Sequence, residues 1–201
     1  QKELEKELNS ANNKTEQQLD QTQNKAEELR KEMEQARKKM LSKKSMDWQD
    51  KKVVEDLIKK QKELEKAIEE MQKENQLNNE KRDKFSEQSE KLKEKTEALQ
   101  ELMNELLDEE TKRLYEELQR LLDEKAPPEA LQKMMEQVEK KEMNLEKELD
   151  RALEMFKQLK FEQKMEQIID KLNKLAEQQE KLAEKTEQND KNKSDEKLDK
   201  N

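Results

Sequence analysis

The chain has 201 residues, with no glycine, no cysteine and no histidine, and its two prolines are adjacent at Pro127 and Pro128. Hydrophobic residues make up 29% and charged residues 48%, with 52 acidic against 44 basic side chains and a net charge of −8. That balance excludes a thick globular core but leaves room for a narrow apolar seam between helices. The missing residue types also remove glycine phosphate loops, disulfides, thiol and imidazole catalysis, and most transition-metal ligand sets.

Glu, Lys, Gln and Leu dominate, and all are good helix formers. High charge with low hydropathy is also the signature of disorder. Periodicity decides between the two. Acid-to-base pairs four residues apart recur, as in Glu55/Lys59, Glu87/Lys91, Glu109/Arg113 and Glu116/Arg120, a spacing that helps only a helix. The net acidity argues against nucleic acid as the main partner. No apolar run reaches the length of a membrane span or signal peptide. A first residue of Gln1 reads as the start of a piece cut from a longer protein.

In chain order, residues 1–44 predict an N-terminal coiled-coil helix. Its seam runs Leu4, Leu8, Ala11, Thr15, Leu19, Thr22, Ala26, Leu29, Met33, Ala36 and Met40. The small and polar members predict marginal stability alone. Residues 42–47 read as a joint, with Ser45 or Asp47 capping the next helix. Arg37, Lys38, Lys39, Lys43, Lys44, Lys51 and Lys52 make this joint basic, and Trp48 is expected to pack on the base of the following hairpin. The alternative is that this stretch touches an anionic membrane surface or nucleic acid.

Residues 45–187 predict a long antiparallel helical hairpin. The first arm, 47–107, carries apolar residues in steps of three and four from Val54 to Leu106, interrupted at Asn75, Asn78 and Arg82. A tip helix, 109–126, follows the N-cap Asp108 and stops at Pro127. Its apolar face, Leu114, Tyr115, Leu118, Leu121 and Leu122, either caps the hairpin or meets a partner. The second arm, 128–187, has a seam from Leu131 to Leu159, a phase slip, and a seam from Phe161 to Thr186. Setting Leu106 level with Leu131 places Leu64 opposite Leu172, and Asn75 and Arg82 near the phase slip. Residues 188–201 have one apolar member, Leu198, and predict a disordered tail. The fold class is all-α: an elongated coiled coil, with a long antiparallel hairpin and a short helix at its tip.

No catalytic, cofactor-binding or metal-ligating residues are identified, and no cofactor is expected. Carboxylates abound, but paired carboxylates without a pocket are solvated helix faces. The acidic run Glu101, Glu105, Asp108, Glu109 and Glu110 lacks calcium-loop spacing and reads as helix-terminus charge. The methionines read as fillers of a thin core. Candidate partner-contact residues are Leu114, Tyr115, Leu118, Leu121, Leu122 and Trp48.

Three stretches resemble a known family: MDWQDKKVVEDLIKKQKELEKAIEEMQKEN (46–75), LMNELLDEETKRLYEELQRLL (102–122) and ELDRALEMFKQLKFEQKMEQIIDKLNKLAEQQEKL (148–182). They are similar to the helical region of a bacterial family classed as domain of unknown function 4175, over about residues 46–187. The most specific stretch is DRALEMFKQLKFEQKM. Members are large proteins of Gram-negative bacteria with membrane spans near the N-terminus and charged coiled-coil segments beyond. The resemblance implies a membrane-anchored parent in the cell envelope with this region in the periplasm. It supplies no catalytic residues, and a cytoplasmic location stays open.

The expected function is structural: a rigid spacer or scaffold. The alternative is a protein-binding clamp or chaperone-like adaptor that uses the hairpin tip or the seam. Partners are expected to be proteins, with self-association open.

Overall fold

The computed structural model describes the chain apart from residues 1, 42, 86, 87 and 199–201, and it leaves the side chains of residues 2, 4, 85 and 189–198 undescribed. The described residues are all-α. The helices are α1 (Lys2–Met40), α2 (Trp48–Phe85), α3 (Glu90–Glu105), α4 (Glu109–Asp123) and α5 (Pro128–Leu198). They divide into two compact units, residues 1–159 and 160–201.

Side-chain caps open α2 and α4. Asp47 and Asp50 cap α2 reciprocally: Asp50 N–H donates to Asp47 Oδ1 at 2.9 Å, and Asp47 N–H donates to Asp50 Oδ2 at 3.0 Å. This satisfies two donors that a bare helix start leaves open. Asp108 caps α4 by accepting from Glu110 N–H at 2.9 Å. The end of α4 is a Schellman turn without glycine. Ala126 N–H reaches Leu121 O at 2.9 Å, Lys125 N–H reaches Leu122 O at 3.2 Å, and Lys125 takes φ 54°. Pro127 then caps α5, its carbonyl accepting from Ala130 N–H at 3.0 Å, with Pro128 in the first helical position, where no amide is needed.

Paired side chains give the direction of each layer in residues 1–159. Between α1 and α2, Lys81 pairs with Glu7 at 2.8 Å and Lys14 with Glu74 at 2.6 Å. An advance of seven residues along α1 matches a retreat of seven along α2, so the two are antiparallel. Arg30–Glu146 at 2.5 Å and Arg37–Glu139 at 2.7 Å repeat the relation between α1 and α5. Gln72 donates to Met103 O at 2.5 Å and Asn75 to Gln100 at 2.7 Å, which sets α3 antiparallel to α2. Lys112 on α4 lies in the field of Glu65 and Glu69 on α2, so α4 continues along α2 in the direction of α3. The first unit is therefore an up-and-down bundle of four layers: α1, α2, α3 with α4, and the start of α5.

This corrects the single long hairpin. The expected arm over 47–107 is two helices, and the chain reverses between Phe85 and Glu90. The helix over 109–126 appears as α4, but it is the second half of the third layer and not a tip. Asn75 bonds Gln100 and Arg82 bonds Asn12, and Leu172 is exposed. Helix α5 also continues to Leu198, through most of the segment expected to be a disordered tail.

One apolar cluster runs through all five helices of this unit. Leu19, Met33, Met40, Leu57, Leu64, Ile68, Met71, Leu99, Met103, Leu118, Leu131 and Met135 are its largest fully buried members. Each contributes about 1.5–3 kcal/mol by burial. The cross-layer ion pairs contribute about 1 kcal/mol or less each, so they fix register more than stability. The buried series on α1, from Leu8 to Met40, follows the expected seam except at one place, where Asn12 and not Ala11 is the buried residue. Seam positions Leu4 and Phe85, and Ser42 of the joint, lie outside what is described. In the second unit α5 presents Phe161, Met165, Ile168, Ile169, Leu172, Leu175 and Leu182 to solvent.

Candidate functional site

The polar residues that the seam tolerates are the most distinctive chemistry of the bundle. Glu142 lies on the buried face of α5, one heptad from both Met135 and Leu149, and its side chain is wholly enclosed. Tyr115 on α4, itself buried, donates its hydroxyl to Glu142 Oε1 at 3.0 Å. Glu142 Oε2 finds no hydrogen-bond partner. Burial pushes the Glu142 carboxyl up to about 7; the Tyr115 hydrogen bond pulls against this, and the charge of Glu65 adds to it. Burial likewise raises Tyr115 and Glu65 above their ordinary values. Gln61, one turn from Glu65 on α2, is buried and shares a hydrogen bond with it at 3.4 Å.

Grooves of about 220 and 240 Å³ open beside this cluster. Gln61, Glu65 and Lys112 line both, but Glu142 lines neither. A carboxyl with a pKa near neutrality has the acidity of a general acid or base. Here it touches no groove, so what it does in this arrangement is tie α4 to α5 within the core. Among the described residues, no group of three or more acidic side chains is placed to hold a metal ion.

A second polar layer lies toward the other end of the bundle. Arg82 is buried and donates from Nη2 to Asn12 Oδ1 at 2.8 Å. Burial lowers its pKa to about 10, which still leaves it charged at neutral pH.

The six candidate partner-contact residues fall into two groups. Tyr115, Leu118 and Leu122 are buried, and Leu114 and Leu121 pack against the core half-buried. Most of the apolar face of α4 is thus turned into the bundle. Trp48 is the reverse. Expected on the base of the hairpin, it is instead 72% exposed at the first residue of α2, with Lys52 Nζ 5.1 Å from its ring centroid. Leu41 and Val53 are exposed near it in sequence. The physical reason is its position: a residue that opens a helix beside a joint has no preceding turn to cover it. The seam spacing did place Glu142 in the core. Its pairing with Tyr115 depends on bringing α4 against α5, which the spacing does not encode.

No family model matches the chain, and neither a curated protein nor a solved structure matches it. Among the described residues no helix is long and apolar enough to cross a membrane.

Proposed function

We propose that this chain is a structural and interaction element: a rigid helical scaffold within a membrane-anchored protein of a bacterial envelope. The observation that carries the mechanical part is the single apolar core threading all five helices of residues 1–159. Ion pairs between α1, α2 and α5 pin that core at several levels. A bundle tied in this way resists sliding of one layer past another, which is what a spacer requires. The envelope location rests on the resemblance of residues 46–187 to domain of unknown function 4175. No catalytic role is proposed.

Burial of Tyr115, Leu118 and Leu122 weighs against the competing clamp reading at the α4 face. A replacement experiment separates the two. Residues 1–159 are exchanged, in the protein that carries them, for an unrelated antiparallel bundle of equal layer length. A scaffold role predicts that cellular function survives the exchange and that the protein fractionates with membranes. Loss of function with intact folding and membrane association would favour a specific clamp, and recovery in the cytosolic fraction would overturn the envelope assignment.

A further inference from the structure

The C-terminal part of α5 carries an exposed apolar stripe. Phe161, Ile168, Leu175 and Leu182 alternate with Met165, Leu172, Gln179 and Thr186 in steps of four and three. The seven large apolar side chains here, which include Ile169, are between 43% and 68% exposed. At about 100 Å² each they leave on the order of 700 Å² of apolar surface in one strip, above the few hundred that monomers ordinarily show. A 3.5-residue period held over this length is the pattern of a helix that supercoils with another helix.

We propose that this stripe pairs with the same stripe of a second copy of the chain, as a parallel, in-register coiled coil. The inference goes beyond the scaffold reading and stands on different residues. Three observations select this occupant.

The first is area. Two such strips bury about 1,400 Å², inside the range of stable protein interfaces.

The second is charge. With Met165, Leu172, Gln179 and Thr186 at a, the g positions are Lys164, Lys171, Gln178 and Lys185, and the e positions include Ile169, Ala176 and Ala183. Parallel pairing sets g of one copy against e of the other. The aliphatic stems of Lys164 and Lys171 then cover Ile169 and Ala176. Antiparallel pairing sets g against g and brings lysines together.

The third is the seam's polar residues. Thr186 already satisfies its hydroxyl on Leu182 O at 2.8 Å, so it asks nothing of a partner. Gln179 does ask. In a parallel, in-register pair a meets a, and two Gln179 amides bond each other across the axis, as buried polar residues at a positions do when they fix register. In an antiparallel pair a meets d, and the amide is left against leucine.

The test uses the full chain of residues 1–201. Sedimentation equilibrium at tens of micromolar is expected to give twice the 24.3 kDa chain mass. Leu172→Lys with Leu175→Lys should weaken association by ~100-fold or more, while the main thermal transition of the bundle stays in place. The chain has no cysteine, so Leu182→Cys supplies a clean orientation probe: oxidation should link it to its own counterpart. A chain that is monomeric throughout this range overturns the proposal. So does a dimer indifferent to the two lysines, or a Leu182→Cys dimer that does not crosslink. A monomer that instead sediments with anionic phospholipid vesicles would assign the stripe to a lipid surface, which also overturns it.

Discussion

Tyr115 and Glu142 are 27 residues apart in sequence and 3.0 Å apart in the core, where the phenol of α4 donates to the carboxyl of α5. Both side chains are removed from water, and one carboxyl oxygen has no partner. An enclosed carboxylate with one hydrogen bond is costly, so the carboxyl holds its proton to unusually high pH. The layer therefore carries a pH dependence that the solvated carboxylates of the surface do not share.

Glu142 exchanges its proton at about pH 7 in the folded chain but at roughly 4.3 once unfolded. Between those values the folded chain holds more protons, so stability falls as pH rises from 5 through 7. The titratable groups that act on it are Tyr115 on α4 and Glu65 on α2. Glu65 shifts in the same direction and adds to the effect; Tyr115 titrates above this window. Asp108 and Glu74 are lowered by Lys141 and Lys14, and their contribution is lost only as pH falls below about 4. Glu142→Gln keeps an acceptor for Tyr115 and removes the charge. Its unfolding free energy should exceed that of the parent chain at pH 8, by on the order of 3 kcal/mol, with a higher melting temperature there, and the two should converge toward pH 5. A parent melting temperature that is flat from pH 5 to 8 would contradict this account.

Arg82 and Asn12 make a second test of buried polarity. Asn12→Ala removes the acceptor of an enclosed guanidinium and should cost about 1–3 kcal/mol. Arg82→Met removes the charge itself, and replacing buried charge by a well-packed apolar side chain is often neutral or stabilising. In urea denaturation, Asn12→Ala should therefore be the more damaging change. The reverse order would mean that Arg82 is held by interactions stronger than this hydrogen bond.

The positions that face the core were legible, while the fold they belong to was read only in class. Leu19, Leu57, Leu64, Leu99, Met135 and Leu149 sit in the core where three–four spacing puts them, because that spacing is a property of one helix and needs no knowledge of its neighbour. The reversal between Phe85 and Glu90 was missed because it uses neither glycine nor proline. Its signal is Ser89 ahead of Glu90, a helix-start pair, which the three–four spacing from Val54 to Leu106 also places on the seam. Once that reversal is lost, two antiparallel helices read as one arm, and α4 becomes a tip when it is half of a layer. The phase slip at Leu159–Phe161 was legible as an irregularity, and it coincides with the boundary between the two compact units. Which layers touch is the part that periodicity cannot carry: a seam states that a helix buries a face, not against what.

Lys125 holds φ 54° at the end of α4, the position where helices usually place glycine. A side chain there costs roughly 1–2 kcal/mol, against which glycine costs about 0.5–1 kcal/mol in extra freedom of the unfolded chain. The first term is the larger. Lys125→Gly should raise stability by about 0.5–1 kcal/mol in chemical denaturation, whereas Lys125→Val, branched at Cβ, should lower it. Equal stabilities for the two variants would show that the Schellman turn does not form in solution.

The layer directions can be tested on the unaltered chain, because several cross-layer pairs join a lysine to a carboxylate. A carbodiimide couples such groups only when they touch. It should link Lys60 to Glu32, which lie 2.6 Å apart, along with Lys14 to Glu74, Lys81 to Glu7 and Lys141 to Asp108. Mixing heavy- and light-isotope chains before coupling separates links within a chain from links between copies. All four should appear within a chain. The first three fall between α1 and α2 in strict antiparallel order, which only a reversal at residues 41–47 followed by close packing produces. The long-hairpin register makes a different demand: it brings the residues around Leu64 beside those around Leu172. Links between those two regions, with none between α1 and α2, would restore the hairpin and refute the four-layer bundle.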